Sequence, residues 1–180
     1  MNAAIYRRSK AGFTLLEVLI AMVVLSIGVL SLAAMLGDGL AYMGMAQYDF
    51  IAQQKAAEAI ESIYTARDTG QTTWANINNV SNGGLFVNGQ TQLCDPGTDG
   101  IVGTGDDNCA KPDSIILPGP DGKLGTADDI FVPLQTFQRT ITIADVPNRP
   151  GLRTITVVIN YTAGRFQRSY TLNTNISQFS

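Results

Sequence analysis

The chain has 180 residues, only 15% of them charged, and a net charge of −3 at pH 7. That length holds one compact domain plus a membrane helix and leaves no room for a second large domain. The acidic balance argues against a basic nucleic-acid-binding surface, so no nucleic-acid partner is expected. Histidine is absent, which removes the usual general base and the commonest transition-metal ligand. There is no G-x-S-x-G motif and no glycine-rich phosphate loop between a strand and a helix, and the cysteines lack an imidazole partner. These absences argue against an enzyme.

Residues 1–12 carry Arg7, Arg8 and Lys10. Residues 13–36 are apolar except for Glu17, with nineteen uncharged residues from Val18 to Leu36. About twenty such residues can cross a bilayer core as a helix. The basic residues ahead of it hold that end in the cytoplasm and place the rest beyond the membrane. An ionised Glu costs roughly 2.5–3.5 kcal/mol near the centre of a span, less near an end. Glu17 therefore either snorkels to the headgroups or has a function.

The wording Gly12-Phe13-Thr14-Leu15-Leu16-Glu17-Val18-Leu19-Ile20 after a basic leader resembles the class III signal of type IV prepilins and type II secretion pseudopilins. The resemblance implies that a prepilin peptidase cuts between Gly12 and Phe13. It implies N-methylation of Phe13 and makes Glu17 the carboxylate that serves filament assembly. It also implies other pilins and minor pilins as partners through the N-terminal helix. The chain would sit in the inner membrane as a single-pass protein with its C-terminal domain periplasmic, and later in the pilus at the cell surface. Loss of the leader removes three of the twelve basic residues, leaving nine against fifteen acidic and a charge of −6. An ordinary secretory signal would put a short apolar core ahead of its cleavage site. Here the apolar run follows the cut and stays with the mature chain.

The helical pattern continues through residues 37–67. Ala41, Met45, Tyr48, Ala52, Ala56, Ala59, Ile60 and Ile63 draw one apolar stripe, with Gln47, Gln54, Glu58, Glu61 and Thr65 opposite. A helix of some fifty residues would run about 80 Å. This resembles the pilin N-terminal helix, whose first half packs in the filament core and whose second half packs on a sheet. The small residues Ala21, Gly28, Ala33, Ala34 and Gly37 allow close helix approach. Pilin helices often carry a proline partway along; this chain has none before Pro96, and Gly37 with Gly39 is the expected weak point.

Residues 68–136 read as a connecting region with an acidic repeat. The first part, through Leu93, is polar, with Trp74, Leu85 and Phe86 as anchors and a short strand expected near Leu85–Val87. In the second part Asp99-Gly-Ile-Val-Gly-Thr-Gly-Asp106-Asp107 recurs 22 residues later as Asp121-Gly-Lys-Leu-Gly-Thr-Ala-Asp128-Asp129. Eight of the fifteen acidic residues lie between Asp95 and Asp129, in what reads as an irregular surface loop. Calcium takes six to eight oxygens, and glycine-bent loops with carboxylates at both ends can converge them. Asp99, Asp106 and Asp107 would serve one calcium site, and Asp121, Asp128 and Asp129 another; otherwise these are two solvated acidic turns. Cys94 and Cys109 bracket the first copy, and two cysteines in an exported segment favour a disulfide.

In residues 137–180, Phe137–Val146, Arg153–Tyr161 and Arg165–Thr174 are rich in Thr, Ile, Val, Tyr and Phe with period-two stretches, and the last two form a hairpin. Helix first and strands last gives an α+β head with the helix stripe on one sheet face. The ending TITVVINYTAGRFQRSYTLNTNIS and the helix wording LEVLIAMVVLSIGVLSLAAM resemble the minor-pilin branch called PilV, the pilus modification proteins. Pseudopilins of the GspI type share both features loosely. The expected function is a minor pilin that builds or modifies a type IV pilus. The alternatives are a secretion pseudopilin and a pilus-tip adhesin binding its ligand through the acidic repeat.

Overall fold

The computed structural model describes residues 12–179. The leader positions 1–11 lie outside them, as does the side chain of the stripe position Ala41. The chain divides into residues 1–43 and 44–180, and helix α1 (Leu15–Asp68) contributes to both. Helix assignment continues through Gly37 and Gly39. At about 1 kcal/mol each they weaken a helix without ending it, and Leu36, Leu40 and Ala41 around them are strong helix formers.

In the first unit every described residue from Gly12 to Leu40 is exposed. A helix apolar on all sides belongs in lipid or among other helices. Among the described residues α1 is the one helix long and apolar enough to cross a membrane by length and composition.

In the second unit Ala52, Ala56, Ala59 and Ile63 of the stripe are fully buried, joined by Ile51 and Ala66, while Gln47, Gln54, Glu61 and Thr65 face solvent. These residues share one core with an antiparallel sheet of order β1-β6-β7-β8. Its strands are β1 (Gln90–Gln92), β6 (Phe137–Asp145), β7 (Leu152–Ala163) and β8 (Phe166–Ser177). Burial alternates along β6 and β7, so one face carries Phe137, Ile141, Ile143, Ile155, Val157 and Ile159 inward. Polar bonds pin the helix over this face. Tyr64 donates its hydroxyl hydrogen to the Asn175 carbonyl (2.7 Å), Arg67 donates to the Ser177 carbonyl (2.9 Å), and Tyr161 donates to Asp49. Burial, and then the Asp49 carboxylate, pushes the Tyr161 hydroxyl up to about 12. Gly164 (φ 63°) turns β7 into β8, where the sequence placed a hairpin.

Three features differ from the sequence expectation. The sheet gains β1, which pairs with β6 at Gln92↔Gln138. Its three residues have no apolar alternation to announce them. The expected strand near Leu85–Val87 is replaced by isolated bridges from Phe86 to Asn79 and to Thr104. The chain there is bent too sharply for a ladder, since a Cβ on Gly84 would lie 2.0 Å from the Asn78 carbonyl oxygen. Finally, the acidic repeat is regular. It forms two hairpins, β2 (Cys94–Asp95) with β3 (Asn108–Pro112), and β4 (Ser114–Leu117) with β5 (Ile130–Pro133).

Candidate functional site

Each hairpin carries one copy of the repeat as its loop. The structural repeat is longer than the nine-residue match, running twelve residues as P-G-x-D-G-x-x-G-T-x-D-D over 96–107 and 118–129. Its carboxylates are fastened to the loop's own donors in the same way in both copies. Asp99 accepts from the Ile101 N–H (2.8 Å), and Asp121 from the Lys123 N–H (2.8 Å). The Thr104 hydroxyl donates to Asp106 (2.6 Å), and the Thr126 hydroxyl to Asp128 (2.6 Å). The Gly103 N–H reaches Asp107 Oδ2 (2.8 Å), and the Gly125 N–H reaches Asp129 Oδ2 (2.7 Å). Gly103 and Gly125 both have φ 85°, a left-handed conformation that a side chain would strain. The threonine hydroxyls hold Asp106 and Asp128 below the usual carboxylate value. The residues therefore shape the loops. Among the described residues no three His, Cys, Asp or Glu groups form a metal cluster.

The surroundings of the two loops differ. In the first, Ile101 and Val102 are buried, and a Cβ on Gly103 would lie 2.6 Å from Ile141 Cδ1. The Val87 N–H donates to the Gly103 carbonyl (2.9 Å). Asp107, its side chain 8% exposed, lies 3.5 Å from Nη2 of Arg139, which is almost completely buried. Burial pushes Asp107 up, against the pull of the Gly103 N–H and the guanidinium. Burial also draws Arg139 down, against the nearby charges of Asp107, Glu58 and Asp113. Arginine stays charged over any accessible pH, so Asp107 is the counterion of a buried cation. In the second loop Leu124 is 64% exposed, and a Cβ on Gly125 would meet nothing within 4 Å. Asp129 Oδ1 is covered and makes no hydrogen bond among the described residues.

Cys94 and Cys109 are joined at the neck of the first hairpin, Cα to Cα 4.7 Å. At the corresponding positions of the second, Ile116 and Phe131 pair across β4 and β5. The neck that one copy ties covalently is apolar in the other.

At the head of α1, Thr14 Oγ1 accepts the Glu17 N–H (3.3 Å). Thr14-Leu15-Leu16-Glu17 thus has the spacing of a capping box, and the acid sits in the first turn, where the helix dipole favours negative charge. Phe13, Glu17, Ala21 and Leu25 line one shallow groove on this unit. The family model described as the prokaryotic N-terminal methylation motif matches residues 7–33. That match supports a pilin-like chain. No curated protein and no solved structure gives a match.

A pilin-like signal implies processing by a prepilin peptidase and assembly with other pilins, and a long apolar helix behind it supports membrane anchoring. Gly12 and Phe13 are the first described residues and both are exposed, with Glu17 one helical turn on. The six repeat aspartates fall into two separate loops of three, as their spacing suggests. Sequence reasoning missed Thr14, whose T-x-x-E spacing was there to be read, and Arg139, which no local pattern couples to Asp107.

Proposed function

We propose that the chain is a minor pilin, a structural and non-enzymatic subunit of a type IV pilus. The observation that carries the proposal is the methylation motif at 7–33, running into an apolar helix that nothing in its own unit covers. Cleavage between Gly12 and Phe13 frees an N-terminus that is methylated on Phe13. The first half of α1 then holds the subunit in the inner membrane, head periplasmic, until it enters the filament and reaches the cell surface. Exposed Leu15, Leu19, Met22, Leu25 and Leu30 supply the apolar area for both stages, at about 25 cal/mol per Å² buried. Among neighbouring helices, pairing with the Phe13 amine would offset the desolvation of Glu17. The likeness of the ending to the PilV branch supports the minor-pilin assignment.

Two substitutions test this reading. Gly12→Lys should leave a longer precursor in the membrane, while mass spectrometry of the wild-type mature chain should find N-methyl-Phe13 at its start; a mature N-terminus at Met1 would sink the proposal. Glu17→Leu should insert into the membrane and fail to enter filaments. Detection of the subunit in purified secretion pseudopili and not in pili would assign it to the pseudopilins. The calcium proposal narrows to the second loop, Asp121, Asp128 and Asp129, because in the first the Arg139 guanidinium already stands beside Asp107.

A further inference from the structure

Within the second unit, helix α1 and strand β8 run side by side, and side-chain contacts fix their register. Asp49 meets Tyr161 and lies 3.3 Å from Nη1 of Arg168. Tyr64 reaches Thr174 (3.1 Å) and the Asn175 carbonyl, and Arg67 reaches the Ser177 carbonyl. Asp49 to Tyr64 is about 22 Å of helix and Arg168 to Asn175 about 23 Å of strand, so the two elements stay level. Following β8 back from Arg168 to Phe166 adds about 7 Å, which brings the β7–β8 turn level with Met45 and Gly44. Gly44 is where the chain enters this unit. It stands eight residues beyond Leu36, the last of the uncharged run, a tether of about 28 Å even when fully extended.

The turn carries the side chains of a membrane-surface contact. Arg165 and Phe166 follow Gly164, and both are exposed, Phe166 at 59%. Arg165 makes no ion pair among the described residues. Asp49 behind it is already matched by Arg168 and Tyr161, and the flanking Thr162, Gln167 and Ser169 are uncharged. We propose that this tip rests on the bilayer, with Arg165 on the phosphate of an anionic phospholipid and Phe166 at the boundary of headgroups and acyl chains. The proposal rests on the membrane-anchoring reading of the apolar helix, because the short tether keeps this end of the unit near the surface. One arginine beside an anionic surface raises partitioning about fivefold. The contact steadies the subunit before assembly and is given up when it leaves the membrane.

Cys94 and Cys109 are joined, so a cysteine placed at Gln167 is the one thiol open to an environment-sensitive fluorophore. The full chain is reconstituted at low density in phosphatidylglycerol-containing vesicles that also hold a lipid with a nitroxide on its headgroup. Quenching at 167 should be at least threefold stronger than at a label on Asn173, about 20 Å further along β8. Arg165→Glu with Phe166→Ser should bring 167 down to the level of 173, and phosphatidylcholine in place of phosphatidylglycerol should at least halve the signal. Arg149→Glu, at the opposite turn of the sheet, should leave it unchanged. A chain that floats with the vesicles and resists carbonate extraction, yet quenches equally at 167 and 173, overturns this proposal alone. Failure to insert overturns the anchoring reading along with it. Quenching that survives the double substitution also sinks the tip contact. A label unquenched in vesicles but shielded in filaments would give the tip to a neighbouring subunit instead.

Discussion

The two acidic hairpins are one local structure in two environments. Residues 96–107 and 118–129 turn through the same glycines and fasten aspartates to the same N–H and O–H donors, to within a few tenths of an ångström. The first then loses its apolar pair and one carboxylate to the interior, while the second keeps them outside. The loop's shape is therefore set by nearest neighbours in sequence, and its burial by what the rest of the chain brings to it. Ile101-Val102 against Lys123-Leu124 is the sequence difference that sorts them, since a lysine ammonium cannot enter the socket that accepts an isoleucine.

The largest expected asymmetry is at the last aspartate of each loop. Asp107→Asn takes the nearest carboxylate from the buried Arg139 while the charges of Glu58 and Asp113 stay nearby, and should cost about 1–3 kcal/mol in a denaturant melt of the detergent-solubilised chain. Asp129→Asn should cost under about 0.5 kcal/mol. Equal losses would mean that the second loop is also docked within its own chain.

Next is the neck. Replacing both Cys94 and Cys109 by Ala opens a closure of 15 residues, for which loop entropy gives roughly 3 kcal/mol. The comparison sharpens if Ile116 and Phe131 are changed to Cys. They pair across β4 and β5, so they should oxidise on export and leave the stability of the core unchanged. Failure of that pair to form would show that the second neck is held differently from the first.

Acid should separate the loops by sign. Asp106 and Asp128 are both depressed, so each adds stability that is present above the ordinary carboxylate value and lost as the pH falls through its lowered one. Asp107 is raised, so its contribution is present at low pH and lost as the pH rises through its elevated value. As the solution is acidified Asp107 therefore offsets the loss at its neighbour Asp106 in the first loop. Amide exchange should show the second loop opening first as the solution is acidified.

Calcium is expected to give the smallest effect. A site with a dissociation constant of about 10⁻⁴–10⁻³ M in the second loop would add about 1.4 kcal/mol at ten times that concentration. Calorimetry at millimolar calcium should detect it, and Asp128→Asn with Asp129→Asn should remove it. No heat with the wild-type chain would leave the loop as a self-fastened acidic turn.

The α+β head, the helix and the last three strands were legible because their signals are periodic: an alanine-rich stripe at spacings of three and four, and alternation in β6 and β7. Strand β1 was not, because Gln90–Gln92 is polar throughout and joins the sheet only by backbone pairing with β6. The repeat was legible as a repeat, but its hairpins were obscured by short arms. Cys94–Asp95 spans two residues, and its register with β3 is irregular. At the N-terminus the methylation motif was readable because its residues are consecutive in the sequence. The pairing of Asp107 with Arg139 was not, since the two meet only after β6 is placed.

The second hairpin also leaves and rejoins the fold at a single point. The Leu134 N–H donates to the Asp113 carbonyl (2.8 Å), the Asp113 N–H donates to the Leu93 carbonyl (3.0 Å), and Lys55 holds the Asp113 carboxylate at 2.6 Å. Residues 114–133 are thus a detour whose two ends are already stapled together by the head. Such a detour can be shortened, lengthened or exchanged without disturbing the layers beneath it. It is the natural port for grafting a foreign epitope onto this subunit. It is also where relatives of this chain should differ most in length while keeping the aspartate and the leucine on either side.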